Sequence, residues 1–159
     1  MPDSIFSLLL IIHSLLRWFV LISILYAIYR AYKGLRNRAS FTKADNAARV
    51  LSLTFTHIQV VIGLALYFSS PLVSYFHHNF SNAAAHHGDS GFFGMNHIFL
   101  MIVAATILTI GSAKTKRRTD DRKKFKAMLV WFSITLLIIF IAIPWPFSPF
   151  TSRPYFRPF

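Results

Sequence analysis

His13 and Arg17 stand four residues apart inside "LLLIIHSLLRWFVLISILYAIYR", a stretch apolar and long enough to cross a membrane. Residues four apart on a helix share a face, so the imidazole and the guanidinium are neighbours. An arginine at that depth costs about 2.5–3.5 kcal/mol on insertion scales. The acids of the chain are Asp3, Asp45, Asp89, Asp120 and Asp121, and none lies within an apolar run. Arg17 therefore lacks a carboxylate of its own. Two further histidines, His57 and His97, also fall within apolar runs, while His77, His78, His86 and His87 fall between runs.

Depth sorts the three buried candidates. Counting from the polar residues at the inner ends, at ~1.5 Å per residue, puts His13 and His97 both ~25 Å up, His57 ~18 Å and Arg17 ~19 Å. Two imidazoles from different helices at one level are what axial ligation of a haem iron requires, and bundle cores hold such cofactors. The expected pair is His13 and His97, with His57 as the alternative ligand or as a partner behind them. A haem propionate would supply the missing carboxylate to Arg17, whose fork suits that partner. The plainer expectation is a set of hydrogen-bonded interhelical histidines, with Arg17 reaching a lipid phosphate or a helix carbonyl. Gln59 and Asn96 join a polar cluster on either view.

The segment "YFHHNFSNAAAHHGDSGFF" holds the other four histidines and Asp89. Imidazole nitrogens in this number could bind copper or zinc. A loop rich in Ser, Asn, Gly and His is also simply a solvated loop.

The elements that position these residues are spans of about 20 apolar residues, the length that crosses the hydrocarbon core. Four segments qualify, at about 5–29, 47–68, 92–113 and 127–143. Of the 159 residues 55% are hydrophobic and only 14% charged, against roughly a quarter charged in an ordinary soluble domain. The net charge of +12 is not a nucleic-acid signature. Fourteen of the seventeen basic residues lie in two blocks between spans, Arg30 to Arg49 and Lys114 to Lys126, as the positive-inside rule predicts for inner loops. The expected fold is an all-α, integral membrane, up-down four-helix bundle with both termini outside and no soluble domain. The first span lacks a basic leader and a cleavage site and is read as retained. Residues 144–159 form a tail rich in proline and aromatics, expected as an interfacial anchor or a partner-binding arm.

The absences also narrow the chemistry. Without cysteine there is no disulfide, thiolate metal site, iron–sulfur cluster or covalent c-type haem. Glutamate is missing too, so paired-carboxylate hydrolysis has no residues to use. Neither a phosphate-binding glycine loop nor a nucleophile elbow occurs.

Taken together, "HSLLRW", "HIQVVIGLALYFSSP", "FFGMNH", "LTIGSAKTKR" and "IPWPF" resemble the small four-span membrane proteins of Bacteroidetes labelled cytochrome B. The resemblance covers most of the chain and implies a b-type haem protein of the bacterial inner membrane that uses His13, His57 and His97. In that family's pattern an acid often precedes the third histidine. Here Asn96 stands at that position, so no proton-handling role carries over to it.

The leading expectation is thus a protein with non-covalent haem b that relays electrons within or beside a respiratory or redox assembly, between quinol and a partner. It need not be an enzyme. The rivals are a cofactor-free accessory subunit of a larger membrane complex and a copper or zinc handling protein.

Overall fold

The computed structural model describes residues 3–81 and 88–155. Among these residues the chain is helical without strands. The order is α1 (Asp3–Arg36), α2 (Lys43–Ser69), the short α3 (Pro71–His78), a single turn α4 (Asp89–Gly91), a π-helical turn (Phe92–Asn96), α5 (His97–Arg117) and α6 (Asp121–Ala142). The turn α4, the π turn and α5 run on as one rod. Four helices are long and apolar enough to span a membrane. Within their most apolar windows only 17–33% of residues are buried inside the molecule. The greasy surface therefore faces outward, which suits lipid and not water. This is a multi-pass membrane bundle.

Around the bundle the order is α1, α2, α5, α6, each touching the next and α6 closing on α1. Helices α1 and α5 thus stand on one diagonal. The contact between α2 and α5 is the thinnest of the four.

The helices run past the apolar spans at their inner ends, and the reason is capping. Thr42 and Asp45 form a reciprocal capping box at the start of α2, with Asp45 accepting from the Thr42 amide at 2.7 Å and hydroxyl at 2.6 Å. Arg30 Nε donates to the same carboxylate at 2.7 Å. Lys33 and Arg36 in the last turn of α1, and Lys114, Lys116 and Arg117 in that of α5, oppose the negative helix ends. Small residues then let the helices close. Gly34 lies under Phe125, where a Cβ would come within 2.3 Å of Cζ, and Gly111 faces Trp131, where it would come within 2.2 Å of Cβ. Ala27, Ala31 and Ala48 are buried beside them.

The outer end is covered in a way the sequence reading did not anticipate. Residues after Ser69 do not simply loop through solvent. Pro71 stands in the first turn of α3, Ser70 caps it, and the helix buries Val73 and Phe76. Gly94 in the π turn receives the Phe76 ring so closely that a Cβ would sit 2.4 Å from its Cγ. The tail also departs from a purely interfacial strip. Pro144 ends α6, Trp145 is buried against Trp18 with ring centroids 6.0 Å apart, and Phe147, Phe150 and Tyr155 remain exposed.

Candidate functional site

His13 on α1 and His97 on α5 meet across the diagonal of the bundle, with ring centroids 6.5 Å apart and planes at 69°. Both line a cavity of about 500 Å³ near the outer end, between α1, α2, α3 and α5. Its walls are mostly apolar, with His13, Arg17, Gln59, His97 and Arg153 among the polar exceptions. Cofactor sites have this size and this balance.

Two prolines set the tautomer of His97. In a continuing helix the carbonyls of Phe140 and Ala142 would accept from residues 144 and 146, but both are proline and have no N–H. The freed Phe140 carbonyl accepts from Trp145 Nε1 at 2.8 Å, and the freed Ala142 carbonyl accepts from His97 Nδ1 at 2.8 Å. A carbonyl can only accept, so Nδ1 carries the proton and Nε2 keeps its lone pair. The π turn completes the setting. Its extra residue brings both Phe92 and Phe93 onto the His97 ring, at 5.7 and 5.8 Å between centroids. Tyr67 holds the widened turn by donating to the Gly94 carbonyl at 2.9 Å.

His13 is fixed from α2. Gln59 Nε2 donates to the His13 carbonyl at 2.9 Å, and Gly63 leaves room for the ring, since a Cβ there would lie 3.1 Å from Cε1. His13 Nδ1 is buried with no hydrogen-bond partner, as are Gln59 Oε1, Arg17 Nε and Arg153 Nε. All four belong to residues lining this cavity. Buried polar atoms are normally satisfied, so such a cluster marks a place made to receive something polar.

Arg17 does reach a carbonyl, that of Tyr155 in the tail, and it packs beside the rings of Trp18 and Trp145 at 5.5 and 5.9 Å. Among the described residues its charge meets no carboxylate. Arg153 was not singled out by the sequence reading, because the tail has no periodicity to give it a facing. It pairs with Asp89, packs over Phe93 at 5.2 Å, and lines the cavity.

Other candidate residues lie elsewhere. His57 is exposed on α2, and its Nε2 lies 3.0 Å from Thr109 Oγ1. The Thr109 hydroxyl donates to the Ala105 carbonyl at 2.7 Å, so His57 is the donor of that pair. Asn96 is exposed and does not join the polar cluster, whereas Gln59 does. In the outer segment His77 bonds the Tyr67 hydroxyl at 3.0 Å and His78 the Ser74 carbonyl at 2.8 Å. His86 and His87 lie outside the described residues. Asp89 is engaged by Arg153 and Thr151. Among the described residues no three metal-ligating side chains converge.

No family model, curated protein or solved structure matches this chain. The site must be read from its own chemistry.

Proposed function

We propose that this membrane bundle is a b-type haem protein that relays electrons within or beside a redox assembly of a bacterial inner membrane. The observation that carries this reading is the His13–His97 pair. With metal–nitrogen bonds of ~2.0 Å and ring centres ~1.2 Å beyond the nitrogen, two imidazoles facing across one metal ion hold their centroids ~6.4 Å apart. The observed 6.5 Å agrees with that spacing. The carbonyl bond to His97 Nδ1 adds weight, since ligating histidines ordinarily donate their other N–H to such a partner. His13 and His97 would hold the iron, Gly63 would leave the first ring free to adjust, and Arg17 would meet a propionate. Haem bound there supplies a one-electron couple. The surrounding side chains contribute the rest: Phe92 and Phe93 pack on the His97 ring and would exclude water from it. With the basic blocks inside, both termini and the haem site lie toward the outer face.

The test is a reduced-minus-oxidised absorption spectrum of the protein purified in detergent. The wild type is expected to show b-type bands, which His13→Ala and His97→Ala each abolish. Full haem occupancy in both variants would leave the two histidines as interhelical hydrogen-bonding groups and remove the proposal.

A further inference from the structure

Arg153 raises a question that the histidine pair does not answer. Its guanidinium is not fully accounted for: Asp89 takes Nη2, the Ser152 carbonyl accepts from Nη1 at 3.3 Å, and Nε is buried without an acceptor. Arg17 has the same construction. The tail carbonyl of Tyr155 takes Nη2, with Ser14 Oγ 3.5 Å from the same nitrogen, and its Nε too is buried without an acceptor. Both side chains line the one cavity. Each is braced by aromatic rings, Arg17 by Trp18 and Trp145 and Arg153 by Phe93. Phe93 precedes His97 by one turn and touches its ring, so Arg153 is tied to the same wall as the imidazole.

We infer that Arg153 is a second carboxylate-binding residue of the cavity, so that the site takes an apolar ligand carrying two carboxylates, one met by Arg17 and one by Arg153. This inference rests on the haem reading and specifies which residues receive the two propionates. Physically, Nε–H is one donor of the guanidinium fork, and its hydrogen bond to a carboxylate is charge-assisted. Two such unmet donors at one apolar cavity are hard to explain by packing alone. A buried charged donor with no acceptor is costly, and none of the residues lining the cavity is acidic. The tail thereby acquires a binding role: it delivers Arg153 to the cavity and holds Arg17 through Tyr155.

The experiment compares iron protoporphyrin IX with its dimethyl ester, in which both carboxylates are blocked. The full chain in detergent is titrated with each and followed by absorption. The wild type should bind the free acid more tightly. Arg153→Gln and Arg17→Gln should each shrink that preference roughly tenfold, the size of one charge-assisted hydrogen bond. Arg153→Lys keeps the charge but loses the fork, so its preference should fall between wild type and Arg153→Gln. If Arg153→Gln does not fold, the lysine variant still decides. A wild-type preference retained in the Arg153 variants but lost in Arg17→Gln overturns the second carboxylate site and leaves the haem reading standing. Failure of the wild type to bind either porphyrin overturns both.

Discussion

The inner and outer ends of this bundle are built from the same residue types to opposite ends. At the inner end glycine admits a neighbouring ring or side chain and the space is filled: Phe125 lies on Gly34 and Trp131 on Gly111. At the outer end Phe76 fills the space at Gly94 in the same way, but Gly63 leaves the His13 ring room beside a cavity of about 500 Å³. Arginine shows the same contrast. Arg49 is 6% exposed, yet Asn46 accepts from Nε at 3.1 Å and from Nη2 at 2.8 Å, and Ser112 takes Nη1. Arg17 and Arg153 each keep a donor with no acceptor. One end satisfies its polar groups within the chain, and the other leaves several of them unmet. A polar residue in a membrane span is therefore better judged by what it lacks than by its depth.

The contrast breaks most visibly at Gly111. Gly111→Val places new carbon against the Trp131 Cβ, an atom close to the backbone of α6 that cannot swing aside. The α5–α6 contact must open, at the upper end of the roughly 1–3 kcal/mol typical of overpacking or beyond it. Urea unfolding in mild detergent should show this loss, and the haem bands of the surviving folded fraction should be unchanged in position.

Arg49→Met should come next. It removes the link from α2 to Ser112 on α5 and leaves the buried hydroxyl unsatisfied, an effect of about 1–3 kcal/mol. The side chain lies far along α2 from Gly63, so the spectrum should again keep its form. A spectral change as large as the stability change would mean that the two ends are not separable.

Gly63→Ala is expected to invert that pattern. Its Cβ would stand 3.1 Å from His13 Cε1, and the ring must give by a few tenths of an ångström. Stability should move by less than about 1 kcal/mol because the cavity side is open to adjustment. If His13 holds haem iron as proposed, the midpoint potential or band position should shift, since its ring is displaced. An unaltered haem spectrum and potential would show that His13 is not at the metal.

The fold was legible because a membrane reduces the problem to runs of apolar residues and the sign of the loops between them. The pairing of His13 with His97 was legible too, since helical rise converts residue number into height. Height says nothing about direction. Asn96 adjoins His97, and adjacent residues on a helix do not share a face, which explains why it turns outward. The π turn inserts a residue that no periodicity announces. Arg153 depends on how thirteen residues after α6 fold back, which local pattern does not encode.

His57 carries the smallest expected effect and the sharpest reading of direction. On α2 the cavity is lined by Thr56, Gln59, Gly63 and Tyr67, spaced by three, four and four residues, so they form one face. His57 belongs to a different series. Val50, Thr54, His57 and Val61 follow the same spacing and are all exposed, which makes theirs the lipid-facing side of α2. The imidazole spends its donor on Thr109, whose own proton goes to a backbone carbonyl, so the pair is satisfied without the cavity. Replacing His57 by Ala removes one hydrogen bond at the thin α2–α5 contact, worth about 0.5–1.5 kcal/mol at most. Haem content, band position and midpoint potential should match wild type. Loss of haem from His57→Ala, with His13→Ala or His97→Ala retaining it, would place the ligand on the second helix and dissolve the division between the two faces of α2.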